Sequence, residues 1–527
     1  TRNIKKETLD RTLISLRDRG PDNQEYKSFL INKKMGKKVI LLNSRLSIID
    51  LNKRSNQPYT KHNLSITFNG EIYNYRDLRE SLKLQGYKFK TSSDTEVILS
   101  GYNRYGLNFF KMMKGMWALA IYDKNKDEII LSRDRFGEKP LYYFKDKKNL
   151  YFASQINQLK LLSEKKFKIN DTQIFNYLYL GYRSLDKFGY DFFIGIKKVD
   201  QGSLIIFRSN KFTKAKYWNL NYRPNKRING YNVIRNTRNH VINAIKRNTV
   251  SDVPISILLS GGIDSNIILS VVTKILGKKV TTFSIIDKDK RYNETNLIDA
   301  SIKHHKVKNH KIELKKIKAG KLIEDLENYV NYNCKPLYTI TSYVSTKLHN
   351  LIKKNNFKVS LTGAGADELF AGYYDHGLHF LKQLKHKSSF KHELELWKKN
   401  ILKHVRNPHF RNFKKFLNST YYTDYIFSNS ENFKRIIKSK KYSKFEDKKY
   451  TSDNLRNRML NEIYFETIPQ ILNEDDQNHM FSSVENRSPF LDADLVDFSF
   501  TIPTNLLIKD AQNKYILRQA FKDILPK

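Results

Sequence analysis

The chain has 527 residues, more than one hydrophobic core usually organises, so at least two domains are expected. Its 96 Lys and Arg outnumber 53 Asp and Glu, but they are spread over the whole sequence, which favours a Lys-rich surface over a nucleic-acid or membrane partner. A single Cys excludes an internal disulfide framework, and no apolar run reaches the ~18 residues that span a bilayer. We therefore expect a cytoplasmic protein.

The first part of the chain is predicted to be an α+β layered domain over residues 1–215. Between residues 27 and 207, short apolar strands alternate with polar turns. Helical spacing of apolar residues interrupts this pattern near Tyr75–Leu84, Asp94–Tyr105 and Asp171–Leu180.

Four motifs in this part place charged or amide side chains near predicted turns and strand ends. They are Arg19-Gly-Pro-Asp22, Arg45-Leu-Ser-Ile-Ile-Asp50, Phe68-Asn-Gly-Glu-Ile-Tyr-Asn74 and Ser93-Asp-Thr-Glu96. Each motif alone is weak, because Asn69-Gly70 by itself is typical of a hairpin turn. A lone Arg45 is in the same way typical of a surface charge. The four motifs carry weight only in combination and in this order.

A polar stretch between residues 207 and 231 predicts a linker to a second domain, which spans residues 228–527. A helix is predicted over residues 232–247. Three apolar runs then predict strands of a doubly wound parallel sheet with helices between them: residues 253–259, 280–286 and 359–362. Ligands of such sheets bind at the carboxyl ends of the strands.

The turn after the first of these strands has the sequence Ser260-Gly-Gly-Ile-Asp-Ser265. Gly261 and Gly262 let the backbone fold tightly, and helical spacing resumes immediately afterwards. The amides of such a turn and the positive end of the next helix suit an anion, to which the hydroxyls of Ser260 and Ser265 can add hydrogen bonds. No Walker-type phosphate loop occurs in the chain, which disfavours a kinase or motor-type site.

Two further stretches carry chemistry near the predicted sheet. Gly363-Ala-Gly-Ala-Asp-Glu-Leu-Phe-Ala-Gly-Tyr373 follows a predicted strand end, so its backbone and Asp367 are expected beside the same ligand. Lys514 and Arg518 lie four residues apart and are predicted to share one helix face that addresses a phosphate. Between these stretches, residues 376–454 are predicted to form a basic helical insertion of unknown role.

Taken together, these motifs resemble the glutamine-hydrolysing asparagine synthetase family. The resemblance implies an N-terminal Ntn-type amidohydrolase sandwich, with two antiparallel sheets between helices, and a doubly wound ATP pyrophosphatase domain. It implies that aspartate is amidated through a β-aspartyl-adenylate, with ammonia from glutamine and release of AMP and pyrophosphate. Two alternatives stay open: amidation of another carboxylate, such as a sugar acid in polysaccharide biosynthesis, and a non-catalytic nucleotide-binding relative.

The resemblance also implies roles for individual residues. Glutamine would contact Arg45, Leu46, Ser47, Ile48, Ile49, Asn69, Gly70, Glu71 and Asp94. Asn69 and Gly70 would line the oxyanion hole, and Arg45 would pair with the carboxylate of glutamine. ATP would contact Leu259, Ser260, Gly261, Gly262, Asp264, Ser265, Ile285, Thr362 and Gly363. Asp264 and Asp367 would bind Mg²⁺, and Lys514 would be the catalytic lysine.

The sequence departs from the family at three positions. The family opens with a cysteine that attacks glutamine, whereas this chain opens with Thr1, so we expect a fragment that lacks both natural termini and cannot hydrolyse glutamine as it stands. Gln155 and Ala364 each replace a glutamate that is usual in the family. The expected partners are small molecules, not nucleic acid or a membrane, and a homodimer stays open.

Overall fold

A computed structural model describes most of the chain. The described residues are 4–32, 37–147, 149–225, 227, 230–289, 291–313, 319–419, 426, 433 and 443–526. Thr1 lies outside them, and so do residues 420–425, 427–432 and 434–442 of the predicted insertion. Among the described helices, none combines the length and the apolar character that a bilayer-spanning segment needs.

The first part of the chain is built from antiparallel sheets and flanking helices. Its strands are β1 (Asn23–Asn32), β2 (Lys37–Arg45), β3 (Tyr59–Lys61), β4 (Leu64–Ile72), β5 (Gly115–Asp123), β6 (Glu128–Arg133), β7 (Tyr142–Lys145), β8 (Leu150–Ala153), β9 (Lys197–Lys198), β10 (Ser203–Arg208) and β11 (Lys211–Lys216). Its helices are α1 (Lys6–Ser15), α2 (Tyr75–Leu84), α3 (Asp94–Tyr105), α4 (Phe109–Met112), α5 (Ile156–Ser163) and α6 (Asp171–Leu180).

The largest antiparallel sheet has the strand order β11-β10-β6-β5-β4-β3. Its central strand β5 is buried along almost its whole length, because other elements cover both of its faces. β1 and β2 pair with each other, and β7 pairs with β8 and β9 in a smaller sheet. This arrangement confirms the predicted sandwich of antiparallel sheets and helices.

The second part of the chain contains helices and one parallel sheet. Its strands are β12 (Ile255–Leu258), β13 (Thr281–Ile286), β14 (Lys308–Glu313), β15 (Val359–Leu361) and β16 (Glu485–Arg487). Its helices are α7 (Gly230–Asn248), α8 (Ile263–Ser270), α9 (Thr295–His305), α10 (Ala319–Asn333), α11 (Ile340–Lys354), α12 (Ala366–Phe370), α13 (Tyr374–Leu384), α14 (Phe390–Asn400), α15 (Pro408–Arg411), α16 (Phe413–Asn418), α17 (Asn454–Asn461), α18 (Ile468–Met480), α19 (Ala493–Ser499) and α20 (Tyr515–Phe521).

The strand order of this sheet, β14-β13-β12-β15-β16, positions the site. All its strand pairs are parallel, and the two neighbours of β12 lie on its opposite sides. A crevice therefore opens beyond the carboxyl end of β12, where the connections on its two sides diverge. The turn from Ser260 to Ser265 begins two residues after β12 ends.

Three sequence predictions differ from the structure. The first strand of the parallel sheet begins at Ile255 and not at residue 253, since Pro254 has no amide to donate to a ladder. The predicted linker contains β11, which pairs with β10 in a hairpin, so the chain leaves the first sheet only after Lys216. Lys514 does not share a helix face with Arg518, because it precedes α20 and has a left-handed backbone with φ 56°.

Candidate active site

The turn between β12 and α8 is held closed by its own serines. The Ser260 amide donates to Ser265 Oγ at 3.2 Å, and the two hydroxyl oxygens lie 3.1 Å apart. The Gly262 amide donates to Ser260 Oγ at 3.2 Å, and the Gly261 amide donates to Glu294 Oε2 at 2.8 Å. The hydroxyls and amides that were predicted to bind an anion are thus gathered at the start of α8.

A lysine and two aspartates meet beside this turn. Lys514 Nζ lies 2.6 Å from Asp264 Oδ2 and 2.7 Å from Asp367 Oδ1. Asp264 stands in the first turn of α8 and Asp367 in the first turn of α12, while Lys514 immediately precedes α20. The structure therefore brings together three residues that were predicted separately from three distant motifs.

Burial and charge act in opposite directions on this cluster. Burial raises the pKa of Asp264 to about 6, although Lys514 opposes the shift. Burial alone would lower the pKa of Lys514, but the two aspartates outweigh it and raise that pKa above its usual value. Lys514 is therefore a fixed cation in a site that is largely closed to water.

Two glycines allow this close approach. A Cβ on Gly372 would lie 1.6 Å from Asp367 Oδ1 and 2.3 Å from Lys514 Cε, so no other residue fits there without moving the cluster. A Cβ on Gly363 would lie 3.0 Å from the Cβ of Asp264. The glycines of the motif from Gly363 to Tyr373 thus have a steric function next to both aspartates.

The two aspartates also fit a magnesium ion. Asp264 Oδ1 is buried and has no hydrogen-bond partner within the described part of the chain. The side chain of Asp367 is 33% exposed and faces the same lysine. Carboxylate oxygens are the protein ligands that Mg²⁺ prefers, usually together with water and substrate phosphate.

The other residues predicted to contact ATP lie along the same edge of the sheet. Leu259 follows β12, and its amide donates to the carbonyl of Phe283 at 2.9 Å. Thr362 and Gly363 follow β15, and the Thr362 amide donates to the carbonyl of Arg487 at 2.9 Å. Ile285 is the penultimate residue of β13.

A separate cavity of about 200 Å³ lies in the first part of the chain. It is lined by eight of the nine residues predicted to bind glutamine: Arg45, Leu46, Ile48, Ile49, Asn69, Gly70, Glu71 and Asp94. Ser47 is not among the lining residues, and its amide donates to Asp22 Oδ2 at 2.7 Å. Gly70 has φ 140°, and a Cβ there would lie 2.1 Å from the Met116 carbonyl oxygen.

The guanidinium of Arg45 is already occupied in this cavity. Its Nη1 atom donates to the Asn52 carbonyl at 3.2 Å and to Asn56 Oδ1 at 2.9 Å. Its Nη2 atom donates to the carbonyls of Ile49 at 3.1 Å and Asp50 at 2.5 Å. In this state Arg45 shapes the loop that follows β2, and its pairing with a substrate carboxylate stays a prediction.

Three carboxyl groups line the cavity, and one of them comes from the second part of the chain. Burial raises the pKa of Asp94 to about 6 and raises the pKa of Glu71 well above its usual range. Glu485 of β16 lines the same cavity, and Arg487 Nη2 lies 3.8 Å from Glu71 Oε1. Sequence reasoning gave Glu485 and Arg487 no role, because only the fold brings β16 to this cavity.

Two of the three positions that depart from the family, Gln155 and Ala364, lie among the described residues, in different surroundings. Gln155 is buried, and its Nε2 donates to Gln477 Oε1 at 2.8 Å, so a neutral amide pair stands at this contact. Ala364 lies in the turn between β15 and α12. Nearby, burial raises the pKa of Glu368 to about 8, and the Tyr373 hydroxyl donates to its Oε1 at 2.7 Å.

Comparisons with known proteins agree with both halves of this description. A glutamine amidotransferase domain family matches residues 1–218, and the asparagine synthase family matches residues 236–527. Asparagine synthetase [glutamine-hydrolyzing] 3 of Bacillus subtilis (strain 168) is 26% identical, over 99% of this chain and 82% of the relative. Asparagine synthetase [glutamine-hydrolyzing] 1 of the same organism is 30% identical, over 92% of this chain and 77% of the relative. The chain therefore belongs to the glutamine-hydrolysing asparagine synthetase family, that is, to the ATP-dependent ligases that use glutamine.

Proposed function

We propose that the chain amidates aspartate by the reaction of an asparagine synthetase. The side-chain carboxylate of aspartate attacks the α-phosphate of ATP, which forms a β-aspartyl-adenylate and releases pyrophosphate. Ammonia from glutamine then attacks the acyl carbon and displaces AMP. The observation that carries this proposal is the buried contact of Lys514 with Asp264 and Asp367, directly beside a turn rich in amide and hydroxyl donors.

Each part of the site has a task in this reaction. The amides and hydroxyls between Ser260 and Ser265 would bind the departing pyrophosphate at the positive end of α8. Lys514 would offset the negative charge that builds on the α-phosphate, and its fixed position means that little reorganisation is needed. Leu259, Ile285, Thr362 and Gly363 would border the nucleotide at the strand ends.

A magnesium ion would balance the negative charge that remains on the cluster of Lys514, Asp264 and Asp367. One lysine between two carboxylates leaves a net negative charge once Asp264 is ionised, which would repel a polyphosphate. Asp264 and Asp367 would hold Mg²⁺, and the ion when bound would neutralise part of the charge on the phosphates. The unpartnered Oδ1 of Asp264 supports this assignment.

One strand links the cavity of the first part of the chain to the sheet that carries the nucleotide turn. β16 borders the glutamine cavity through Glu485, and it pairs with β15, whose carboxyl end carries the turn with Gly363. A buried contact also joins the two parts of the chain, because Arg19 Nη1 lies 2.8 Å from Asp476 Oδ2. Both contacts support transfer of ammonia from one site to the other inside the protein.

The proposal is tested by pyrophosphate release from ATP with ammonium supplied directly, so that the result does not depend on glutamine hydrolysis. Aspartate, glutamate and a sugar acid such as glucuronate are compared as acceptors, and the amide product is identified by mass spectrometry. We expect pyrophosphate release that depends on aspartate, with asparagine as product. Release with the sugar acid alone would favour the second candidate, and binding of ATP without turnover would favour a non-catalytic relative.

One residue, Ala364, favours the second candidate function, which is amidation of a carboxylate other than aspartate. A glutamate at this position could accept a proton from the attacking ammonia, whereas a methyl group cannot. The neighbouring carboxyl groups are engaged elsewhere, since Asp367 contacts Lys514 and Glu368 accepts from Tyr373.

We therefore expect Ala364→Glu to raise asparagine formation at least about tenfold, because general-base catalysis typically contributes more than this. Asparagine is measured with ammonium and aspartate at saturation, and Ala364→Gln is the control without a base. A parent chain that already makes asparagine efficiently, with no gain from the glutamate, would show that no carboxylate is needed at residue 364.

Gly372→Ala is expected to reduce pyrophosphate release at least about tenfold, because a misplaced catalytic group loses a large part of its effect. The added methyl group would displace either Asp367 or Lys514. Gly320→Ala is the matched control, since a Cβ at Gly320 of α10 meets no atom within 4 Å. Equal activity of the two variants would mean that the contact between Lys514 and Asp367 does not matter for catalysis.

A further inference from the structure

One amide of the turn between β12 and α8 is already bound to a carboxylate. The Gly261 amide donates to Glu294 Oε2 at 2.8 Å. Glu294 is the last residue of the segment that links β13 to α9, so it stands beyond the carboxyl end of β13. This is the edge of a parallel sheet at which ligands bind. A negatively charged side chain thus contacts a backbone donor that the proposed function assigns to pyrophosphate.

The packing of α9 against the turn produces this contact. A Cβ on Gly261 would lie 2.9 Å from Leu297 Cδ1 and 3.1 Å from the Cβ of Glu294. A larger residue at position 261 would therefore push the first turn of α9 away. Glycine at this position brings Glu294 within hydrogen-bond distance of the turn.

The start of α9 is held in place, while the side chain of Glu294 is exposed. Ser301 Oγ, in α9, donates to Asn266 Oδ1, in α8, at 2.5 Å. Asn266 Nδ2 in turn donates to the carbonyl of Gly262 at 2.8 Å. The carboxylate of Glu294 can therefore rotate into solvent without breaking the bonds that join the two helices.

Glu294 opposes the ligand that the other groups of the turn attract. The hydroxyls of Ser260 and Ser265 lie there, and the amides of the first turn of α8 have no acceptor inside the helix. Lys514 adds a positive charge through its contact with Asp264. A carboxylate at hydrogen-bond distance from the same turn repels a polyphosphate and competes with it for one amide.

We propose that Glu294 sets the affinity of this turn for pyrophosphate. Its carboxylate occupies the Gly261 amide while no polyphosphate is bound, leaves it when ATP binds, and returns as pyrophosphate departs. A ligand that must displace an internal competitor binds with an affinity reduced by the fraction of time for which the site is free. Glu294 therefore weakens the binding of pyrophosphate and favours its release. This inference rests on the proposed function, in which the turn binds the departing pyrophosphate.

The first test measures the binding of pyrophosphate directly, by calorimetric titration in the presence of Mg²⁺. Glu294→Gln keeps the size of the side chain and removes its charge. We expect the Kd for pyrophosphate to fall at least about tenfold, because a hydrogen bond to a charged group is typically worth at least that factor. Glu294→Ala is expected to change the Kd in the same direction. An unchanged Kd would overturn the inference, and a raised Kd would show instead that Glu294 supports the turn.

Asp299→Asn is the matched control for this titration. Asp299 lies five residues further along the chain, in α9, and its exposed carboxylate pairs with Lys311. This variant removes the same charge from the same helix without changing the contact with Gly261. We expect its Kd for pyrophosphate to stay within threefold of the parent value. Equal tightening by Asp299→Asn and Glu294→Gln would show that net charge acts at a distance, and it would overturn the inference.

The second test measures inhibition by the product. Formation of AMP is followed with ATP, ammonium and aspartate while pyrophosphate is added. We expect the inhibition constant of pyrophosphate to fall at least about tenfold in Glu294→Gln and to stay unchanged in Asp299→Asn, because only the first variant removes the competitor. Equal inhibition of the parent and Glu294→Gln would contradict the role of Glu294 in product release.

The outcomes separate this inference from the proposed function. If neither the parent nor the variants bind pyrophosphate, the assignment of the turn and this inference are both wrong. If the parent binds pyrophosphate and makes asparagine but Glu294→Gln binds pyrophosphate no more tightly, only the role of Glu294 is wrong. If Glu294→Gln tightens binding although no acceptor is amidated, the role of Glu294 is supported and the proposed reaction is wrong.

Discussion

Lys514→Ala is expected to lower pyrophosphate release about a hundred- to a thousandfold. Removing one preorganised donor from a charge-stabilising site typically costs about 2.7–4 kcal/mol of transition-state stabilisation. Lys514 is 9% exposed and contacts two carboxylates, so its charge is held in place beside the turn. The loss should fall on kcat at saturating ATP and acceptor, since the lysine acts on charge that develops during the reaction.

Lys522→Ala is the matched control for this variant. Lys522 follows α20, the helix that Lys514 precedes, but its side chain is exposed. Circular dichroism and the thermal midpoint of both variants should show that the fold persists. Turnover of Lys514→Ala within threefold of the parent would show that this lysine does not act on the reacting phosphate.

Asp264→Asn is expected to abolish magnesium-dependent pyrophosphate release, with a loss of at least about a hundredfold, while the fold persists. The substitution keeps the shape of the side chain but removes the charge that would hold the metal. Lys514 keeps Asp367 as a partner at 2.7 Å, so no buried cation is left unpaired. The surface variant Asp299→Asn, in α9, serves as the control, and near-full activity of Asp264→Asn would contradict the nucleotide-site assignment.

The pKa of Asp264 gives this prediction a pH dependence. Burial raises that pKa from 3.8 to about 6, so the folded protein binds more protons than the unfolded chain between these values. The ionised carboxylate therefore costs stability at pH 7, and the cost is lost as the pH falls below 6. The parent should also lose kcat/KM as the pH falls through 6.

The thermal midpoint of Asp264→Asn relative to the parent should accordingly be higher at pH 7 than at pH 4.5, because the asparagine has no charge to bury. A difference in thermal midpoint that is the same at the two pH values would mean that Asp264 is not strained by burial.

The sequence was sufficient to predict features that local chemistry controls. The turn from Ser260 to Ser265 could be predicted because an apolar run, two glycines and a new helical period adjoin one another. Helices α2, α3 and α6 begin and end where the apolar spacing indicates. The cavity in the first part of the chain is lined by eight of the nine residues predicted to bind glutamine, because these residues lie in short, contiguous motifs.

Two sequence predictions were wrong because the same local pattern is compatible with two different structures. The polar residues of β11 were assigned to a linker, yet an exposed edge strand tolerates Lys at most positions. Lys514 and Arg518 have helical spacing, but the helix begins only at Tyr515. Spacing alone does not show whether a residue lies inside a helix or just before it.

By itself, the sequence determined the class of both domains and the motifs that carry chemistry, because these depend on periodicity and on the conformational freedom of neighbouring residues. Only the tertiary structure decided which motifs meet. Lys514 and Asp264 are 250 positions apart, and Glu485 reaches a cavity formed by the first part of the chain. Contacts of this kind follow from strand order and from helix packing around shared cores. A local sequence pattern does not specify which distant residue a buried charged side chain will contact.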